Sequence, residues 1–447
     1  MILNKYKEYS YLTILIIIIA IVSISVGNYA GYLFLSLLLF LTFILLYSFT
    51  NDKKLIYIII FSILLKCVLI LFHNFISSLP GSDADAELYE YFGWIISQYI
   101  LGDIGQLPEI SPSYFFSYWI GILYVLFGRL ALVPELINGM LGVVLILLIY
   151  KITYRLTNNI NTARFAAFII FLFPLINLYS VLTMREIPII FFFVLSFYFL
   201  LKYNDTSKIS FILLSLLSLL ISTFFHDSFI FITAVYIVYF VSYDVKNKKV
   251  NLFMKRNIFI IPFVLGIGVF FFSFLTNKLP DLSTLLSSEF ISDHVARRSR
   301  DRASYLANMR PSNIIELIVY TPIRMIYFLF TPFPWMLSDP KDLIGIFDSF
   351  LYWILGFYSI KGLKVIKIKN KSIYYLVISV ILVFLFLFGW GTSNYGAAMR
   401  HRTKISWLLI VISSIGYMNK RNSRSSNFIK IKDKEDIQGE ERKIQNE

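Results

Sequence analysis

Asp83 and Asp85 stand either side of one alanine, behind Pro80 and Gly81 and directly after an apolar run. Two carboxylates at i and i+2 in a loop can share a divalent cation such as Mg2+ or Mn2+. Either alone can act as a general base, taking the proton of an attacking hydroxyl. A solvated acidic loop has the same spelling. A second acid comes in Met184-Arg185-Glu186-Ile187-Pro188, at the end of a helix pair. Glu186 can assist Asp83 while Arg185 holds an anionic group, although a glutamate at a helix start also simply favours the dipole. His226-Asp227 closes another turn. That pair can orient a substrate or a proton, or be a wet helix end with an N-cap Asp.

The basic candidates form two groups. Arg297, Arg298, Arg300, Arg302 and Arg310 share one polar stretch with Asp293 and Asp301. Arg400, His401, Arg402 and Lys404 open the last apolar run, behind Gly389, Gly391 and Gly396. Guanidinium groups grip phosphate oxygens bidentately, so a lipid phosphate or diphosphate head group is the natural partner. Surface pairing with nearby acids, anionic lipid and interfacial anchoring are the alternatives.

These residues must be positioned by a very apolar chain. Of 447 residues, 58% are hydrophobic and only 15% charged, with a mean hydropathy of +0.72. A soluble protein carries about 25% charge. Continuous apolar runs such as Leu12 to Val26 lack the alternation of a barrel strand, so an all-α, polytopic transmembrane bundle is expected in a lipid bilayer. The net charge of +14 comes from Lys and Arg in short loops, as the positive-inside rule requires, which argues against nucleic acid as a partner. Cys67, the single cysteine, offers neither an internal disulfide nor a metal cluster. Lys66 is mid-span and must face a partner or a wet cavity, with Glu135 near an end of the next span.

About twelve spans are predicted, near 11–27, 31–49, 55–77, 133–150, 163–180, 187–202, 207–225, 228–243, 257–276, 343–360, 373–388 and 404–418. The first lacks a small-residue cleavage pattern and reads as a retained helix. The run 114–128 is read as re-entrant or interfacial, because a full crossing there would put Lys151, Arg155 and Arg164 outside. The run 314–330, with Glu316, Pro322 and Arg324, is read as a second such helix. Both termini are then cytoplasmic in the cell membrane, and every candidate site residue lies on the outer face. The chain divides into an N-terminal helix pair (1–54), a membrane core (55–276) with its first outer loop at 78–113, an extracytoplasmic loop with surface helices (277–342), C-terminal spans (343–418) and a disordered cytoplasmic tail (419–447).

Over residues 55–205 this order of features resembles the GT-C superfamily of polytopic glycosyltransferases, of the protein-mannosyltransferase and aminoarabinose-transferase type. The resemblance rests on an acid opening the first outer loop (Asp83 or Asp85), a helix at 88–104, Ser111-Pro112-Ser113-Tyr114, Leu126-Phe127-Gly128, the helix 134–155 with its basic end, Ala163 to Pro174, Tyr179-Ser180 and Arg185-Glu186. Two spans precede the matching region, and no counterpart is expected for the soluble C-terminal domain of some members. Pro332-Phe333-Pro334-Trp335 and Arg400 to Arg402 are similar to bacterial surface-polysaccharide membrane proteins. The resemblance implies sugar transfer from a polyprenyl-phosphate-linked donor to a glycan, lipid or protein acceptor outside the cytoplasm, in cell-envelope glycan assembly. The outer-loop Asp would be the base, and outer basic residues would hold the carrier phosphate. A polysaccharide polymerase of the O-antigen or capsule kind would use the same arginines on lipid-linked repeat units. A transporter or flippase would instead need mid-membrane charges and internal symmetry.

Overall fold

The computed structural model describes residues 50–83, 85–258, 287–299, 302–336 and 342–445, with 260–262, 264 and 266. The expected spans at 11–27 and 31–49 lie outside the described residues, as do most of 257–276, Arg300 and Asp301. Helix makes up 78% of the described residues. The named strands, β1 (Tyr243–Asp244) and β2 (Lys249–Val250), form one antiparallel pair.

α1 (Lys53–Phe75) begins where Asp52 caps the amide of Lys54 at 3.1 Å. Its apolar run continues until the polar, proline-containing loop that carries Asp83. α2 (Asp85–Leu101) and α3 (Phe116–Phe127) form a hairpin, tied by Glu90 and Arg129 at 2.9 Å. α3 has only 12 residues, against the ~20 needed to cross a bilayer. α4 (Leu132–Thr157) tolerates Pro134 because it lies in the first turn.

The run expected as one span at 163–180 is broken. α5 (Ile160–Leu172) and α6 (Pro174–Ser180) meet at 61°. Pro174 forces Phe173 into an extended conformation and starts a new helix. The carbonyls freed at the break are held by one side chain. Asn177 Nδ2 donates to Phe171 O at 2.6 Å and Phe173 O at 3.2 Å. Its Oδ1 accepts from Lys66 Nζ at 2.8 Å, and Ser62 Oγ accepts from the same amine at 3.1 Å. Lys66 thus meets neutral oxygens of Asn177 on the kink and Ser62 on its own helix rather than Glu135. Replacing Asn177 with leucine removes two carbonyl partners and an acceptor from a buried cation, an expected loss of about 2–5 kcal/mol. Thermal melting in detergent checks this: Asn177→Leu should melt lower than Lys66→Met, and equal melting points would contradict the bracing role.

α7 (Glu186–Thr206), α8 (Ile209–Phe225) and α9 (Phe229–Ser242) run back and forth in sequence. α10 (Ser288–Arg298) packs on the later helix Lys371–Gly391. α11 (Ile314–Phe330) is strongly one-sided, exposing Ile314, Ile315, Ile318 and Val319 while burying Leu317, Arg324 and Phe328. α12 (Asp342–Lys369) and α13 (Lys371–Gly391) lead to α14 (Tyr395–Gln445). α12 and α14 touch backbone to backbone. A methyl at Gly362 would lie 1.9 Å from Ile412 O, and one at Gly416 2.2 Å from Tyr358 O, the small-residue contact that lets membrane helices approach closely. Where a disordered tail is predicted from 419, α14 continues to Gln445. The Lys, Glu, Gln and Arg content of that stretch favours helix.

Among the described residues five helices are long and apolar enough to cross a membrane, or six if α5 and α6 count as one span. The protein is therefore a helical bundle whose apolar segments suit a lipid bilayer. Its core runs through Phe193, Phe197 and Trp407, with Phe193 edge-on to Trp407 at 5.1 Å. The charged residues sort to two ends. At one end Asp52 pairs with Arg164 at 2.8 Å, Arg155 with Asp205, and Lys369 donates to Thr157 O at 2.9 Å. Glu186 and Asp205 mark opposite ends of α7, about 28 Å apart at 1.5 Å per residue, close to the thickness of a bilayer's hydrocarbon core.

Candidate functional site

The other end of the bundle gathers charge from four elements. Arg400 projects from the first turns of α14 and binds two acids. Its Nε donates to Glu186 Oε1 at 2.6 Å, and its Nη1 donates to Asp85 Oδ2. Lys404, one helical turn on, lies 3.5 Å from the same Glu186 oxygen. Glu186 begins α7 and its side chain is 0% exposed. A buried carboxylate needs such cations, and two surround it here. Arg185, beside it, donates from Nη1 to Ser113 O at 2.8 Å and Phe225 O at 3.0 Å, tying the α2–α3 hairpin to the α8–α9 turn.

His226 and His401 close the back of this cluster. Their rings meet edge-on at 5.4 Å, both lie tilted against Phe388, and His401 Nδ1 is 2.8 Å from Lys404 Nζ. His226 Nδ1, Glu186 Oε2 and Arg185 Nε are buried without a hydrogen-bond partner among the described residues. Burial, then the cations of Lys404, Arg185 and Arg400, hold His226 well below the usual histidine value of 6.5. Unfolding frees it to titrate normally. Stability is therefore greatest above about pH 6.5 and falls as pH drops from there towards the folded value, by at most about 1.4 kcal/mol per pH unit. Melting temperature against pH checks this, with His226→Gln expected to have the flatter acid limb. The facing groups Lys404, Arg185, Arg400 and His401 remain in that variant, so parallel curves would contradict the assignment.

Beside the cluster lies a cavity of about 530 Å³. One wall is the loop Ser78 to Asp83; the others bring Tyr179 from α6, Ile344 and Gly345 from α12, and Tyr395 and Met399 from α14. Asp83 is exposed on that wall, two residues from Asp85. Tyr179 lies on the cavity wall with its side chain buried.

Several expected site residues thus converge: Asp85, Arg185, Glu186, His226, Arg400 and His401, with Asp83 on the adjoining cavity. Asp227 follows in the turn after His226 and is half-buried. Arg402 is placed differently. Its side chain is fully buried, bound to Asp348 at 2.9 Å through Nε and to Leu329 O at 3.0 Å and Thr331 O. Its donors serve the protein's own frame. Arg297 and Arg298 are exposed in the last turn of α10, and Arg302 is exposed in the loop that pairs with 392–395. The cluster's ion pairs among the described residues involve none of these three.

Asp83 and Asp85, the two acids expected to share a cation, are engaged differently. Asp85 already holds Arg400, and no group of three or more His, Cys, Asp or Glu suited to a metal occurs among the described residues. Tyr179 and Asp348 are participants that the sequence motifs do not mark as site residues, whereas Lys404 is among the basic candidates. Lys404 had a signal in its i+4 spacing from Arg400, and Asp348 in being an acid inside an apolar run. Arg324 is likewise buried, donating to four oxygens at 3.2–3.3 Å and stacked on Trp390. No protein-family model, curated protein or solved structure matches the chain.

Proposed function

We propose that this protein is a membrane glycosyltransferase that moves a sugar from a polyprenyl-phosphate-linked donor to an acceptor on the extracytoplasmic face, in cell-surface glycan assembly. In this reading the bundle has about twelve spans in a GT-C-like arrangement, with both termini cytoplasmic. The observation that carries it is an exposed carboxylate, Asp83, on the wall of a 530 Å³ cavity that adjoins the Arg400 and Lys404 cations. That volume suits a small ligand such as a sugar.

Asp83 takes the acceptor hydroxyl's proton as its oxygen attacks the sugar's anomeric carbon. The bond from that carbon to the carrier phosphate oxygen breaks, and the phosphate leaves with added negative charge. Arg400, Lys404 and Arg185 are preorganised cations near where that charge develops. Glu186 holds Arg400 and Lys404 in place. Tyr179 and Tyr395 offer ring faces and hydroxyls to a sugar.

The test uses the purified protein in proteoliposomes with polyprenyl-phosphate-linked hexoses and candidate acceptors. Acceptor-dependent release of free polyprenyl phosphate is expected, with single sugar additions. Product ladders from lipid-linked repeat units would favour a polymerase, and no release from any such donor would overturn the reading. The outward placement has its own check. In a Cys67→Ala background, Ser82→Cys should react with a membrane-impermeant maleimide from outside and Lys248→Cys only after permeabilisation.

A further inference from the structure

The loop that carries Asp83 is fastened to α1 by one side chain. His73, in the last turn of α1, accepts the Leu79 amide proton on Nδ1 at 3.1 Å. Leu79 lines the cavity four residues before Asp83. A backbone N–H can only donate, so Nδ1 must be the bare nitrogen and the ring proton must sit on Nε2. Nε2 faces Glu135 Oε1 at 3.7 Å. Glu135 is only 3% exposed and is itself held, with Oε2 accepting from Asn74 Nδ2 at 2.6 Å. At 3.7 Å the approach of His73 to Glu135 is an electrostatic contact beyond hydrogen-bond reach, which favours the ring proton on Nε2. The same turn of α1 therefore supplies the ring and, through Asn74, the group that orients the carboxylate.

Among the described residues the loop has few other restraints. Ser82 N bonds to Leu79 O within it, and Asp83 O accepts from Ala86 at 3.4 Å. Gly81 takes a left-handed φ of +79° with open space around it. Between the end of α1 and the start of α2, the Leu79 to His73 bond sets where the chain turns and hence where Asp83 sits on the cavity wall.

We propose that His73, oriented by Glu135, is a positioning residue that latches the Asp83 loop against α1. The catalytic side of this rests on Asp83 as the base; the latch itself does not. The experiment measures two things on the full chain in lipid nanodiscs: hydrogen–deuterium exchange of the segment holding the Leu79 amide, and steady-state sugar transfer. His73→Ala should speed that exchange about tenfold and lower kcat up to about 100-fold, with donor KM little changed. His73→Asn, whose Oδ1 can accept the amide proton, should restore much of both, and Glu135→Gln should fall between. Should His73→Ala not fold, Glu135→Gln and His73→Asn carry the comparison. Unchanged exchange in a folded variant that cannot accept the proton would overturn the latch. Faster exchange with unchanged kcat would overturn the positioning role. If the wild-type chain transfers no sugar, the functional reading fails, and exchange alone decides the latch.

Discussion

Replacing Asp83 with asparagine is expected to lower sugar transfer by about a hundred- to ten-thousand-fold, the usual contribution of a general base. The amide keeps the size of the carboxylate and cannot take a proton. Asp83 is exposed and lies outside the Arg400 ion pairs, so the variant should melt at the wild-type temperature. Asp85→Asn separates the two acids. Asp85 holds one side of Arg400, and its loss should raise donor KM more than it lowers kcat. Transfer rates and melting curves for the two variants, measured together, check the assignment. Full activity in folded Asp83→Asn would remove Asp83 from the chemistry.

Arg402→Leu is expected to have the largest effect on stability. It strands Asp348, whose side chain is 3% exposed, and leaves the carbonyls of Leu329 and Thr331 without their donor. Breaking a buried pair from one side costs about 3–5 kcal/mol, because the remaining charge is left uncompensated. The Arg402→Leu, Asp348→Leu double variant should recover part of that loss, since no buried charge then remains. Melting temperature and monodispersity in detergent measure both. A well-folded, inactive Arg402→Leu would instead return Arg402 to a substrate-binding role.

Some of this was readable in the residues and some was not. The helical bundle follows from continuous apolar runs, and the sorting of charge to two ends from the lysine-rich turns. Arg185-Glu186, His226 and Arg400-His401 were marked by being charged or titratable at helix ends, and these meet in space. Reading Arg400, His401 and Arg402 as one patch overlooks the helix they open. At about 100° per residue, Arg402 turns about 200° from Arg400, while Lys404 returns to its face. The kink at Pro174 was written in the proline, but its bracing by Asn177 and Lys66 needs residues 111 apart to meet. The His73 latch is hidden for another reason. Its acceptor bond runs to a backbone amide, which carries no sequence signature.

A lipid-phosphate-linked sugar is expected to bind with its sugar beside Asp83 and its phosphate against Arg400 and Lys404. The most direct measurement is an electron cryomicroscopy map of the Asp83→Asn protein in nanodiscs with a polyprenyl-phosphate-linked hexose. Density for the phosphate within hydrogen-bonding reach of Arg400 or Lys404, with the sugar in the cavity walled by Tyr179 and Tyr395, is the predicted result. A donor bound elsewhere on the protein, with this cavity left empty at saturating donor, would contradict it.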